Sequence, residues 1–345
     1  MRRMLGTVVA LAVAAALAAC GDQGSADADG APAAFELPVG TPSYDVDAPS
    51  WAIGTEIRVG GEAITADPAP DVYVVTPSGI YYIAGGTLHF TNGGPAEEVA
   101  ELDAFSLALS PDQRRLALVD AAHGTQDPYG THVAVPVVFD LDTGEQVFRG
   151  APGRSVENDD LAVLYGELPP GLLGLDDEAV YAIDPLQEKD RTRFPLDGGA
   201  PEPVDGNPML RDEAGIHGYA KELPGGGFAW APTFTDEADG PMSTAVLSPA
   251  EDVFFTMTGR GGRYYATGSG RPTVFSETPF TLGGWVDDDT FYGAFSARGS
   301  MEGPSGRTSI ASCDVRPRPT CTPLAELDLP QRPVLHFATG RDRFL

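Results

Sequence analysis

The sequence predicts an all-β fold, a β-propeller of about six to seven four-stranded blades, and three observations carry that prediction. Gly and Pro number 42 and 31 among 345 residues, and both disfavour helix interiors, which excludes a helical bundle or long coiled coil. From Trp51 onward, short apolar runs bounded by turn residues dominate, as at 72–76, 80–84, 105–109, 115–119, 135–139 and 253–257. The third observation is a repeat: an apolar strand, a polar turn and a second apolar strand.

The turns are Thr76-Pro77-Ser78-Gly79, Ser110-Pro111-Asp112, Leu175-Asp176-Asp177-Glu178, Arg211-Asp212-Glu213, Ser248-Pro249-Ala250-Glu251 and Val286-Asp287-Asp288-Asp289. With landmarks at 78, 112, 177, 212, 251 and 288, the intervals are 34, 65, 35, 39 and 37 residues. A unit of this length with four short strands suits a propeller blade, and a β-sandwich with chance spacing is the competing architecture. Short Asp and Ser side chains suit these turns because they bond free backbone N–H groups. The long interval holds either a hidden blade or an insertion around His123–Thr131. Closure of the ring is expected to bring Thr55–Val59 close to Val334–Ala338.

Upstream of the repeat, Arg2 and Arg3 precede an apolar run from Met4 to Leu17. The run is shorter than the roughly 20 residues a bilayer span needs and suits the core of an export signal. Residues 21–50 contain six carboxylates and no Lys or Arg; too little apolar area is available there to offset ordering entropy, so a flexible tether is expected. The expected organisation is a signal peptide over 1–19, Cys20 with an acidic tether over 20–50, and the propeller over 51–345.

Leu17-Ala18-Ala19-Cys20-Gly21 resembles a bacterial lipobox. The resemblance implies cleavage before Cys20 and lipidation of its thiol and new amine. Several acyl chains on one residue anchor stably where one chain holds marginally. The expected location is therefore extracytoplasmic, at a bacterial cell membrane. Ser110-Pro111-Asp112-Gln113-Arg114-Arg115-Leu116-Ala117-Leu118 is similar to the blade motif of WD-repeat and TolB-like propellers. Phe139-Asp140-Leu141-Asp142-Thr143-Gly144-Glu145 resembles their turn between the outer two strands. Gln113 stands where those blades usually have Gly, and Phe139 where they have Trp. The resemblance implies a fold and leaves activity open, since propellers host binding, scaffolding and catalysis.

Cys313 and Cys321 flank a Pro-rich turn, and a disulfide across that hairpin is expected in an oxidising compartment. His123, Asp127 and His132 in one polar loop are candidate metal ligands, with a solvated insertion loop as the alternative. No Gly-x-Ser-x-Gly, His-Glu-x-x-His or phosphate-binding glycine motif occurs in the chain. No catalytic residues and no cofactor are therefore assigned, and the expected role is a non-catalytic binding or scaffolding module for a protein or cell-envelope ligand. The alternative is a propeller enzyme acting on glycans or lactones. The formal charge of −28 repels phosphate backbones and argues against nucleic acid; a monomer is expected. Charge is uneven: residues 20–250 carry 39 acidic and 10 basic side chains, residues 251–345 carry 11 and 10. The neutral sector, with Arg260, Arg263 and Arg271, is expected to face a partner or the membrane.

Overall fold

The computed structural model describes residues 35–338 apart from 42–43, 105, 152–155, 158, 187–190, 205–209, 213–214, 224–226, 232–241, 257–261, 301–302, 317 and 330–334. Cys20 lies outside the described residues. Six antiparallel sheets form the blades of a β-propeller. Blade 1 joins Ser50–Ile53, Glu56–Val59 and Glu62–Thr65 to Leu335–Phe337; blade 2 is Val72–Thr76, Gly79–Ala84, Thr87–Thr91 and Glu97–Glu101. Blade 3 is Leu107–Leu109, Arg115–Asp120, Val135–Asp140 and Gln146–Arg149; blade 4 is Gly171–Leu175, Ala179–Ile183, Arg191–Pro195 and Glu202–Pro203. Blade 6 is Phe280–Trp285, Thr290–Ser300, Gly303–Asp314 and Thr320–Leu329.

Blade 5 is wider, with seven strands: Leu210–Asp212, Gly215–Glu222, Phe228–Ala231, Met242–Leu247, Val253–Thr256, Gly262–Ala266 and Pro272–Ser276. It absorbs two of the six turn landmarks, which is why six landmarks and a closing blade give six sheets. The cause is Gly215–Glu222. Its first half pairs with Leu210–Asp212 and its second half with Phe228–Ala231. It also pairs with Met242–Leu247, from Ile216↔Leu247 to Lys221↔Met242. That register fuses two sequence repeats into one sheet.

Radial position follows from contact and burial. The first strands of blades 2, 3 and 4 touch in succession, and that of blade 4 touches Leu210–Asp212 of blade 5. Leu107–Leu109 and Gly171–Leu175 are buried at every residue, whereas Glu97–Glu101 and Glu202–Pro203 have no buried residue. Apolar clusters lie between blades, as alternation of strand faces requires. One joins blades 2, 3 and 4, another blades 5 and 6, a third blades 6 and 1. Between blades 5 and 6, Phe255, Phe275, Phe280 and Phe291 meet edge to face at centroid distances of 4.8–6.2 Å, a favoured aromatic geometry.

The Ser-Pro turns recur as one bonded unit. Ser110 N donates to Arg115 O at 3.0 Å, and Ser248 N to Val253 O at 2.8 Å. Ser110 Oγ accepts from Arg115 N at 2.9 Å and Ser248 Oγ from Val253 N at 3.3 Å. Both serines are buried, and the fourth residue of each turn is left-handed, Gln113 at φ 58° and Glu251 at φ 60°. Position 113 is where the related blade motif carries Gly, and the positive φ is the reason. Asp176 caps its turn by accepting from Glu178 N and Ala179 N, both at 2.8 Å. The outer turn of blade 3 also has the expected form: Asp140 Oδ1 accepts from Asp142 N and Thr143 N, and Gly144 takes φ 78°.

Closure uses Trp51↔Phe337, Ala52↔His336 and Ile53↔Leu335. Thr55–Val59, expected beside the last strand, lies one strand further out, because Ser50–Ile53 intervenes and pairs with Glu56–Val59. Cys313 and Cys321 form the expected disulfide, directly opposite each other in blade 6 with Cα atoms 4.0 Å apart.

The long interval is an insertion rather than a hidden blade, since landmarks 112 and 177 belong to adjacent blades. It comprises the loop after Asp120 and a blade-to-blade connection carrying the seven-residue helix Leu161–Glu167, N-capped by Asp160. Residues 35–41 and 44–49, expected within the tether, pack along the body. Leu37 is buried and its N donates to Gly144 O at 2.9 Å; Phe35 stacks on Phe139 at 5.1 Å. The Tyr81 hydroxyl donates to Pro38 O, and burial pushes that phenol up to about 12, so it keeps its proton.

Three measurements test these points. Gln113→Gly removes a left-handed side chain at a cost in unfolded-state entropy, and should raise stability by about 0.5–1 kcal/mol in urea unfolding; a loss would show that Gln113 contributes bonds outweighing its backbone cost. Replacing Cys313 and Cys321 together with Ser should lower stability by about 2–3 kcal/mol, and no change would contradict a closed bridge. Burial lowers the pKa of His336 from 6.5, so the folded state binds fewer protons than the unfolded one, and stability falls as pH drops below about 6.5. His336→Asn should therefore flatten the melting-temperature slope between pH 7 and pH 5; an unchanged slope would remove His336 from the account.

Candidate functional site

The histidine loop does not gather a metal site. His123 Nδ1 lies 3.0 Å from Asp120 Oδ1, and the fully buried Asp120 also receives Arg149 Nη1 at 2.8 Å. Asp127 is turned into the protein: Oδ1 accepts from Tyr129 N at 2.9 Å and Thr131 N at 2.8 Å, and Oδ2 from Leu161 N at 2.8 Å. Burial opposes its ionisation, but these backbone donors outweigh burial and hold the carboxyl below the usual range. His132 Nδ1 reaches Gly124 O at 3.2 Å, which only accepts, so Nδ1 carries the proton and Nε2 accepts from Gln126 Nε2 at 2.8 Å. Each side chain is occupied in holding the insertion together. Among the described residues, no group of three His, Cys, Asp or Glu is placed to hold a metal ion.

Of the three arginines, Arg263 and Arg271 stand apart on one hairpin. Arg260 lies outside the described residues. Arg263, on the second strand of the Val253–Ser276 meander, is half-buried, with Nε buried and without a hydrogen-bond partner. Arg271 is exposed at the turn of the same hairpin, away from Arg263, which pairs with Val274. In this sector Arg316 has the clearer role. Its Nη2 lies 2.9 Å from Asp252 Oδ2 and its Nε 2.8 Å from Asp289 Oδ1, linking the turns of blades 5 and 6.

A concave site lies elsewhere. A cavity of about 260 Å³ is lined by Asp47, Leu109, Ser110, Pro111, Gln113, Gly215, Ile216, Pro249, Trp285, Val286, Asp287 and Asp288. The lining comes from the first-to-second-strand turns of blades 3 and 6, from blade 5 at Gly215 and at the Pro249 turn between Met242–Leu247 and Val253–Thr256, and from the docked N-terminal segment. Blades 3 and 6 stand across the ring from each other, so the cavity lies over the propeller axis. Its walls are apolar at Leu109, Ile216 and Trp285, which are buried; its three carboxylates, Asp47, Asp287 and Asp288, are exposed. Asp287 Oδ1 accepts from Asp289 N at 2.8 Å, which fixes that turn. Trp285 Nε1 is buried without a hydrogen-bond partner.

Gly215 is required here. It takes φ 123°, and a Cβ would lie 2.4 Å from Leu247 O and 3.0 Å from Trp285 Cδ1. The bare backbone therefore lies against the pyrrole edge of the indole, the edge that carries Nε1. The sequence offers no motif that marks Asp47 or Trp285, and Gln113 stands out in it only as a departure from the blade motif. The usable signal was the turn periodicity itself, because equivalent turns of a ring converge on one end of its axis.

No protein-family model matches the chain, and no curated protein matches it. Solved structures similar to it include TolB from Acinetobacter baumannii, at 9% identity and a TM-score of 0.39 over 83% of this chain and 64% of that one. Porphyromonas gingivalis dipeptidyl peptidase 4 is similar at 10% identity and a TM-score of 0.37, over 78% of this chain and 47% of that one. A puromycin-hydrolysing peptidase of Mycobacterium tuberculosis is similar at 14% identity and a TM-score of 0.28, over 85% and 56%. The chain spans less than two thirds of the length of each, and likeness at this level carries no activity across.

Proposed function

We propose that this protein is a lipid-anchored, extracytoplasmic binding module, held at a bacterial membrane through Cys20, whose propeller presents its axial cavity to a protein or cell-envelope ligand. The kinship of its blades to WD-repeat and TolB-like propellers, carried by Ser110–Leu118, is part of the same reading. The observation that supports binding is the axial cavity itself: an apolar wall beneath exposed carboxylates. The Ser110 hydroxyl, its one alcohol, donates to Asp112 Oδ1 at 2.6 Å and accepts from Arg115 N, so it serves the turn rather than a reaction. Concave sites with few placed polar groups are where propellers and other folds bind ligands.

A photo-crosslinking side chain at Asp288 in the full-length protein, expressed in its native cell, should capture one dominant species. The same group at the exposed outer-strand residue Thr322 should not. Cys20→Ser should move the protein out of the membrane fraction. Equal capture at both positions would overturn the axial site, unchanged membrane association would overturn the anchor, and turnover of a glycan or lactone by the purified protein would replace binding with catalysis.

A further inference from the structure

Tyr129 and Val163 are the two most exposed large apolar side chains among the described residues, at 73% and 59%. They belong to one braced feature. The buried Asp127 carboxylate accepts from Tyr129 N and Thr131 N through Oδ1, and from Leu161 N at 2.8 Å through Oδ2. The loop that presents Tyr129 is thereby fastened to the first residue of helix Leu161–Glu167, which presents Val163 two residues on. The Tyr165 hydroxyl of the same helix accepts from Ala134 N at 2.8 Å, a second tie. Apolar area held in water by such a framework marks an interaction surface.

Two further observations say what covers it. The feature is uncharged at its surface, in a chain of formal charge −28. Residues 121–136 contain one carboxylate, Asp127, and no Lys or Arg, and that carboxylate is buried. Beside Val163, the exposed Ala162 and Gly166 carry no charge, and Asp160 and Glu167 stand at the two ends of the helix. The feature also lies where the chain arrives: the ring of Phe35, the first described residue, is 6.1 Å from that of His123 in the same insertion. Residues 20–34 number fifteen. A chain of that length reaches at most about 50 Å and as a coil spans about 20 Å, against a width of about 50 Å for a body of roughly 300 residues.

We infer that the insertion of blade 3 is the membrane-facing surface of the propeller, with Tyr129 and Val163 entering the headgroup region of the bilayer that holds Cys20. The inference rests on the reading of Cys20 as the lipid anchor. Tyr suits that depth, because its ring is apolar and its hydroxyl stays wet. Two side chains are too few to recruit the body, but the anchor already supplies the local concentration, so they need only orient it. An anionic leaflet repels the acidic remainder of the surface within a Debye length of about 8 Å, which leaves the uncharged insertion as the side that approaches. The membrane side is then at blade 3 and not at the blade 5 sector of Arg263 and Arg271. Strand Arg115–Asp120 follows the cavity turn at its start and enters the insertion at its end, so this contact leaves the axial cavity facing away from the bilayer.

The test uses the full-length lipidated protein in vesicles of phosphatidylethanolamine and phosphatidylglycerol that carry a doxyl-labelled lipid. Tyr129→Cys and Val274→Cys each supply one thiol for an environment-sensitive NBD label, since Cys20 is acylated in the anchored protein and Cys313 and Cys321 are joined. Val274, exposed on the outer strand of blade 5, is the control. The label at position 129 should be quenched at least threefold more than the label at position 274. Val163→Asp should cut the quenching at position 129 at least twofold, with the melting temperature held as the folding control. Equal quenching at the two positions, or quenching at 129 that survives Val163→Asp, in protein that sediments with the vesicles would overturn the inference and leave the anchor standing. Protein that stays in the supernatant would overturn the anchor, and the inference with it.

Discussion

The ring depends on three residue pairs, Trp51↔Phe337, Ala52↔His336 and Ile53↔Leu335. This pairing joins the two ends of the propeller within one sheet. Closing a loop of roughly 280 residues costs about 5 kcal/mol in chain entropy by the logarithmic estimate. Trp51, Leu335 and Phe337 are buried in the cluster between blades 6 and 1, and full burial of such side chains contributes about 1.5–3 kcal/mol each. The magnitudes are comparable, so the closing strand suffices only because its apolar residues are buried with it. His336 sits between them, on the opposite face of the strand, where burial favours its neutral form.

Within each blade the controlling device is the turn from first to second strand. A propeller needs the inner strand and its neighbour held in register, and a register slip of one residue would exchange buried and exposed faces. The Ser110 turn prevents that slip in blade 3, the Ser248 turn holds Met242–Leu247 to Val253–Thr256 in blade 5 with the same bonds, and the price of the arrangement is a left-handed fourth residue. Gln113 and Glu251 occupy that position although neither is Gly. The serine hydroxyls and main-chain bonds over-determine the turn, which is how an unfavourable φ persists in a folded chain.

Fold class, turn chemistry, the disulfide and the insertion were legible because each rests on local signals: period-two apolar runs, Asp and Ser at turns, two cysteines around prolines. Blade number was legible only to within one. The fusion of repeats in blade 5 depends on which neighbour pairs with Gly215–Glu222, a non-local choice that its residues do not encode. The packing of Phe35 and Leu37 was hidden for a related reason. Composition assigns them to a tether, but Phe35 and Leu37 find Phe139 and Gly144 waiting, more than 100 residues away in sequence. The axial cavity was legible in parts and not as a whole. Its turns were each identified; that three of them face one another is a property of the closed ring.

The same docked segment explains why the cavity has the charge it does. Asp47 reaches the mouth from a segment that touches blade 3 where Leu37 meets Gly144 and blade 2 where Gly40 meets Ser78 and Tyr44 meets Pro77. Gly40 passes so close to Ser78 O that a side chain there would collide with it, so the path is set by backbone shape as much as by apolar burial. Three carboxylates on separate elements, one on this segment and two on blade 6, repel one another least when each remains in water, and all three are exposed. Their convergence is therefore tolerable without a bound cation, because high dielectric at the mouth weakens like-charge repulsion. The wall behind them is different. Leu109, Ile216 and Trp285 are held by the turn network of three blades, so an entering group meets an apolar surface that need not reorganise. A soft, hydrated charge at the rim and a rigid apolar wall within divide the work of recognition: the rim selects the sign of charge, and the wall selects the shape that carries it.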